Sequence, residues 1–240
     1  MRLSILEFIV KYLYTMKIIP FILMLSLCVT CAFGQTHKGV YVENGKTVEI
    51  DKKVRRFTPI NSNEILYFSN ELIAKVYTDS DFTIDNFFQE VNNTNKTPEK
   101  AKFGEHNFAS TLMNGTMIVT YSGGDSNSSC VISTPMTDIE LYKGTFYFKV
   151  TESKVLVFVL DGSLKSYGDK KKENIVTAGY TVVANPNDIG ILEDKISLGA
   201  EKVKPLVIDR LKEEAKDVIN LKGTVLFSVI DGKVVGIVIN

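Results

Sequence analysis

The sequence predicts a mainly β protein: a solenoid-like or distorted β-sandwich of short strands, with one C-terminal amphipathic helix. Three observations predict its strands and its helix. Residues 40–50 alternate apolar and polar side chains around Asn44-Gly45, a pair suited to the positive φ angles of a two-residue hairpin turn. Residues 155–160 are six consecutive apolar residues, the pattern of a strand covered on both faces. Helical spacing stands out in one segment, which opens at Pro205.

The elements follow in order. Residues 18–33 form an apolar run broken by Pro20, Ser26 and Thr30, with Lys17 ahead of it and Ala32-Phe33-Gly34 at its end. Basic, apolar, small-residue order is that of a secretory signal peptide, with cleavage between Gly34 and Gln35. The run is short for a membrane span of about 20 residues. Met16 then becomes a candidate true start, and residues 1–34 the leader. The alternative is an uncleaved N-terminal anchor, the one route by which this chain meets a membrane. A lipoprotein signal is disfavoured, because Leu27 and Thr30 stand where a small residue should precede Cys28 and Cys31.

Composition bounds the chemistry. The chain has 240 residues, 28 basic and 28 acidic side chains, two His and three Cys. Zero formal charge argues against a general nucleic-acid binder, which needs a basic field. Two His leave little material for His-based catalysis. Removing the leader takes away Cys28 and Cys31, so the mature chain keeps Cys130 alone and has no internal disulfide. Cys130 reads as a small buried residue in a strand.

Residues 35–62 hold the Asn44-Gly45 hairpin. Residues 63–188 read as the principal β domain, and 189–240 as a helix and strands. Within the domain, residues 64–77 and 82–88 carry apolar, β-branched and aromatic strand residues, and 90–102 reads as an exposed polar loop. From Leu112 the strands become dense: Met117-Ile118-Val119, Val131-Ile132, Ile139-Glu140-Leu141 and Phe146-Tyr147-Phe148 are separated by Gly, Ser, Pro and Asp. Asp161-Gly162 reads as the turn closing the run 155–160. After Pro205, which suits a first helical turn, Val207, Leu211, Ala215 and Val218 fall on one face. Strands return after residue 220 around an Asp231-Gly232 turn. A Gly-Thr step into a strand recurs at Gly115-Thr116, Gly144-Thr145 and Gly223-Thr224.

Residues 112–183 resemble a FecR-type domain, named for the regulator of bacterial ferric-citrate uptake; residues 64–112 do so more loosely. The resemblance is carried by a succession: Ser133-Thr134-Pro135, Ile139-Glu140-Leu141, Gly144-Thr145-Phe146, the run 155–160 with Gly162, and Ala178-Gly179-Tyr180. It implies an all-β, solenoid-like or distorted-sandwich domain outside the cytoplasm, without catalysis. Thr134, Pro135, Gly144, Thr145, Phe146, Gly162, Ala178 and Gly179 are its motif residues. Pro135 suits entry to an edge strand, since proline has no ladder donor, and Gly144 a tight turn and close backbone approach. In the family's regulators this domain faces a receptor's signalling domain, and a separate helical part binds a sigma factor. At most 17 residues precede the apolar run here, too few for that part, so the sigma-regulator role is not expected.

Catalytic or metal signals are thin. Asp79-Ser80-Asp81 with Asp85 lacks the Gly and distal Glu of a calcium loop and reads as a solvated turn. Residues 121–126 are Gly-rich but precede a strand, so they read as a loop and not a phosphate cradle. His37 sits at the start of the mature chain and His106 in a polar connector. Lys154, Lys165 and Lys170-Lys171-Lys172 read as a basic strip at a hairpin tip. The expectation is an exported, non-enzymatic FecR-like module for binding, sensing or scaffolding at the bacterial cell envelope. Its partner would be an envelope protein or polysaccharide, with no cofactor, metal or nucleic acid. The rivals are a self-assembling structural β protein and a hydrolase using Asp81, Asp85 or His106.

Overall fold

A computed structural model describes residues 35–43, 46–50, 55–91, 103–167, 173–186, 196–230 and 233–239. The predicted leader, the Asn44-Gly45 turn, most of the polar loop 90–102, the lysine run 170–172 and the Asp231-Gly232 turn lie outside the described residues. Strands dominate: β1 (Gln35–Lys38), β2 (Val40–Glu43), β3 (Lys46–Glu49), β4 (Arg55–Phe57), β5 (Glu64–Phe68), β6 (Leu72–Val76), β7 (Asp81–Val91), β8 (Phe103–Tyr121), β9 (Ser129–Ser133), β10 (Asp138–Thr151), β11 (Lys154–Tyr167), β12 (Glu173–Thr177), β13 (Tyr180–Pro186), β14 (Ile196–Lys202), β15 (Val225–Ile230) and β16 (Lys233–Val238). Among the described residues there is one helix, α1 (Pro205–Asn220), between β14 and β15. The first fourteen strands form one mixed sheet, not closed into a barrel, and β15–β16 form a separate hairpin.

Several expected short strands are parts of long ones. Strand β8 has 19 residues, and β10 and β11 have 14 each. The first half of β8 pairs with β7 and, in parallel, with β9. Its second half pairs with β6 and β10. Strands β10 and β11 change partners in the same way: near one end they meet β9 and β12, near the other β8 and β13. The sheet therefore folds over on itself, and the same three strands serve both layers. Side chains from both layers meet in one core: Phe68 of β5 touches Phe108 and Phe87 at ring-centroid distances of 4.9 and 6.2 Å, and Tyr41 of β2 touches Phe57 of β4 at 5.7 Å.

The fold-over is built by glycines. Gly144 in β10 (φ +142°) lies opposite Gly162 in β11 (φ +79°), and the register slips beside them. A Cβ on Gly162 would lie 1.7 Å from the Lys143 carbonyl oxygen, and one on Gly144 2.0 Å from that of Asp161. Asp161-Gly162 is thus a crease inside β11, not the turn that the sequence suggested. Ala178-Gly179 continues the same crease: β12 and β13 run along one edge of β11, and the N–H groups of Ala178 and Gly179 donate to the carbonyls of Gly162 and Val159. Gly115 (φ +98°) bends β8, held by the buried Ser80, whose Oγ donates to the Thr116 carbonyl and accepts its N–H. Of the three Gly-Thr steps, only that at Gly223 leads into a strand from outside. Pro135 does not enter an edge strand. It sits in the β9–β10 connection, where Thr134 Oγ1 accepts from the N–H groups of Met136 and Thr137.

The run 155–160 is covered on both faces. Val155, Val157 and Val159 point into the core, while Phe158 and Leu160 join the cluster under α1. The helix buries Ile208, Ala215 and Val218, with Leu211 partly covered, against Ile73 of β6 and Ile118 of β8. Ile208 takes the place expected for Val207, which is 40% exposed. Lys75 pairs with Asp217, and Tyr77 Oη donates to Glu214 at 3.0 Å, pinning the helix from the sheet side. The β15–β16 hairpin packs Phe227 and Val234 against Val40, Val42 and Val91, and Thr47 Oγ1 accepts from the Gly236 N–H at 2.9 Å. No helix among the described residues is long and apolar enough to cross a membrane.

Candidate functional site

One concavity lies between the sheet and the C-terminal hairpin. It is a cleft of about 1170 Å³. The β5–β6 turn, the start of β8, the loop after β8, the middle of β10 and the α1–β15 connection all contribute to its wall. The turn is tight: Glu71 N–H donates to the Phe68 carbonyl, and Glu71 adopts φ +62°. That geometry sets Ser69 and Asn70 inside, 1% and 4% exposed.

These two residues open a buried polar cluster. Ser69 Oγ accepts from the Val40 N–H and donates to Gln89 Oε1. Gln89 of β7 stands opposite His106 of β8. His106 Nε2 lies 2.6 Å from Tyr121 Oη, and the ring also bonds the backbone of Gly104. Burial holds His106 below the usual imidazole range and pushes Tyr121 up, so both groups stay neutral and share a hydrogen bond. Gly124 permits this arrangement: a Cβ there would come within 2.6 Å of His106 Cε1. Asn70 differs from its neighbours. Both amide atoms are buried, and among the described residues neither has a hydrogen-bond partner; Gln89 Nε2 is in the same state. Native proteins rarely leave buried amides unspent, because each unsatisfied group costs about 1–3 kcal/mol.

The residues named for the hydrolase reading do not converge. Asp81 and His106 lie at opposite ends of the β7–β8 ladder, roughly 25 Å apart at strand rise. Asp81 is gripped by Arg56 through two bonds of 2.7 and 2.6 Å. Asp85 accepts from Thr83 and Thr111. His106 is in a strand, not a connector, because it pairs with Gln89 in the β7–β8 ladder, and its N–H donates to Ser128 Oγ in the following loop. His37 also belongs to a strand, β1. Cys130 is buried, and burial pushes its thiol up, away from the reactive thiolate. Among the described residues no three His, Cys, Asp or Glu side chains gather to hold a metal ion. The basic strip is not continuous either: Lys154 and Lys165 lie toward opposite ends of β11, and Lys165 pairs with Glu173 at 2.9 Å.

The motif residues occupy the crease and the β9–β10 connection. Gly144, Thr145, Phe146, Gly162, Ala178 and Gly179 come together across β10, β11 and the β12–β13 turn. Thr134 and Pro135 lie apart from them. Gln35 opens β1, and Gly34 lies outside the described residues. Sequence reasoning missed Asn70, and that His106 and the 121–126 loop would meet it around one cleft. Ser69-Asn70-Glu71 signals a turn in sequence, but nothing local tells that the turn will be buried against β7 and β8.

No family model matches the chain, and no curated protein matches it. Two similar solved structures are both crystal structures of candidate anti-sigma factors from Parabacteroides distasonis ATCC 8503. One, at 2.50 Å resolution, has a TM-score of 0.45 and 9% identity over 78% of this chain and 100% of that chain. The other, at 1.65 Å, has a TM-score of 0.38 and 8% identity over 83% of this chain and 99% of its own. Neither likeness carries a property of those proteins to this chain.

Proposed function

We propose that this chain is an exported, non-enzymatic FecR-like binding module of the bacterial cell envelope. The observation that carries the binding role is the wide cleft with an unspent buried amide on its wall. The absence of catalysis is supported by where the reactive groups went: Asp81 and Asp85 are committed to Arg56 and to threonines, His106 is a buried neutral bridge, and Cys130 is sealed in the core. Export rests on the sequence of residues 17–34, and the FecR likeness on the motif succession. The test is fractionation of the natural protein with intact-mass measurement. The expected outcome is a chain starting at Gln35 in the envelope fraction, binding isolated envelope material saturably. A cytoplasmic chain with its leader intact overturns export. Hydrolytic turnover that disappears in His106→Gln overturns the non-enzymatic assignment.

A second reading, self-assembly, has its own observation. The main path of the sheet ends on β3 and β14, and Ile237, Val238 and Ile239 are 45, 46 and 45% exposed in succession. Open edges and exposed apolar residues favour pairing between copies. Sedimentation across a hundredfold concentration range decides it: growth in mass supports assembly, and a constant monomer removes it.

A further inference from the structure

We propose that the cleft binds a neutral glycan chain, with Asn70 as the hydrogen-bonding anchor and aromatic rings as stacking faces. This inference rests on the binding-module reading and names its ligand class. Four features lead to it.

The first is the amide. Asn70 keeps a donor and an acceptor free at one place, both enclosed. A sugar hydroxyl is itself donor and acceptor, and neighbouring hydroxyls on one ring answer both atoms of a carboxamide. Seating a ligand there requires the rim to move, because those atoms have almost no contact with water.

The second is the apolar lining. Aromatic and aliphatic side chains share it: Tyr67, Phe103 and Tyr142 are partly or well exposed, with Phe103 and Phe227 in a T-shaped contact at 6.3 Å. Flat rings offer faces to the C–H surface of a pyranose, as they do to other flat apolar surfaces.

The third is charge. Glu71 and Asp125 are balanced by Lys143 and Lys222 around the cleft. A balanced rim gives no field to attract a polyanion or polycation. The volume exceeds the common range for a single small-molecule pocket, which suits several linked units.

The fourth separates a glycan from an extended peptide. A peptide that joins a sheet needs a row of free backbone groups. Where β8 borders the cleft, that row is occupied: Ser128 Oγ accepts the His106 N–H, and the His106 ring takes the Gly104 backbone.

The experiment is titration calorimetry on the full chain with uncharged hexasaccharides (maltohexaose, cellohexaose and fully N-acetylated chitohexaose), dextran sulfate, and an uncharged extended hexapeptide. The expected result is saturable binding of at least one neutral hexasaccharide, unchanged between 50 and 500 mM salt. Asn70→Ala and Tyr142→Ala should each weaken it tenfold or more, while Tyr180→Ala, outside the cleft, leaves it intact. Circular dichroism and denaturation of each variant show that the loss is not unfolding. Asn70→Asp gives a second reading, because it keeps the size and the acceptor but loses the donor. Preference for the peptide, or for dextran sulfate with steep salt dependence, overturns the glycan class and leaves the binding module standing. Neutral binding untouched by Asn70→Ala and Tyr142→Ala overturns the site. No binding to any probe overturns the glycan proposal, and if isolated envelope material also fails to bind, the binding-module reading falls with it.

Discussion

Replacing Gly162 and Gly179 by alanine separates two reasons for glycine that usually come together. Both residues hold left-handed backbone, with φ +79° and +87°. That conformation costs an L-residue roughly 1–2 kcal/mol. The surroundings differ. Nothing lies within 4 Å of a Cβ built on Gly179, whereas one on Gly162 would sit 1.7 Å from the Lys143 carbonyl oxygen and 2.8 Å from Gly144 Cα. Both obstacles are backbone, so the clash can be relieved only by parting β10 from β11 at the crease. A forced backbone shift of that sort costs about 1–3 kcal/mol. Each ladder bond lost, such as Ala178 N–H to the Gly162 carbonyl at 3.1 Å, adds about 1 kcal/mol. Gly179→Ala should therefore cost about 1–2 kcal/mol, and Gly162→Ala about 3–6 kcal/mol, a large share of the 5–15 kcal/mol typical of a domain. Urea denaturation of the two variants beside the parent measures both. Thermal midpoints should fall by about 2–8 °C for Gly179→Ala and by about 6–24 °C for Gly162→Ala. Equal losses within about 0.5 kcal/mol would show that close strand approach is not what demands glycine at 162.

Three further outcomes follow from the structure. Asn70→Ala should raise stability by about 1–2 kcal/mol, since it removes an unpaired buried amide at the cost of some packing, and chemical denaturation reads it directly. Cys130 should resist a water-soluble disulfide reagent in the native protein and react at once in denaturant; because burial raises its folded pKa above the unfolded value, the stability it contributes is full below about pH 9 and is lost as pH rises beyond that. A fast native reaction would contradict the burial. His106 has the opposite sign: burial lowers its folded pKa against the modest opposing pull of Gly104 and Asp125, so its stability is present above pH 6.5 and fades as acid charges the ring. His106→Gln should flatten the decline in stability between pH 6.5 and 4.5, and an unchanged slope would reject this assignment.

Strand content was readable because its signals are local. Alternation in 40–50 marked β2 and β3, and Glu43 opposite Lys46 leaves the two-residue connection that Asn44-Gly45 suggested. The helix was readable for the same reason, although its buried stripe starts at Ile208, because the sheet and not the sequence decides which of two adjacent apolar residues faces inward. Strand length was hidden. Gly115, Gly144 and Gly162 carry the local signature of turns, yet the chain passes through each without reversing. Only neighbouring strands, brought from far away in sequence, keep the ladder going past them. The cleft was hidden more deeply. Asn70 gains its meaning from Gln89, His106 and the 221–227 segment, and nothing within a few residues of it announces those neighbours.

The position of α1 has a consequence for how the chain comes to be. Its cover for the outer sheet face is supplied by residues 205–220, while the face itself (Ile73, Tyr147, Phe158, Ile118) is made from residues far earlier. The Lys75–Asp217 pair spans 142 positions, and the Thr47–Gly236 bonds span 189. During synthesis, a strip of isoleucine and aromatic side chains is therefore finished long before its lid exists. Contacts of such separation also form slowly. A product interrupted before Pro205 carries that strip uncovered, a surface on which half-made chains cluster.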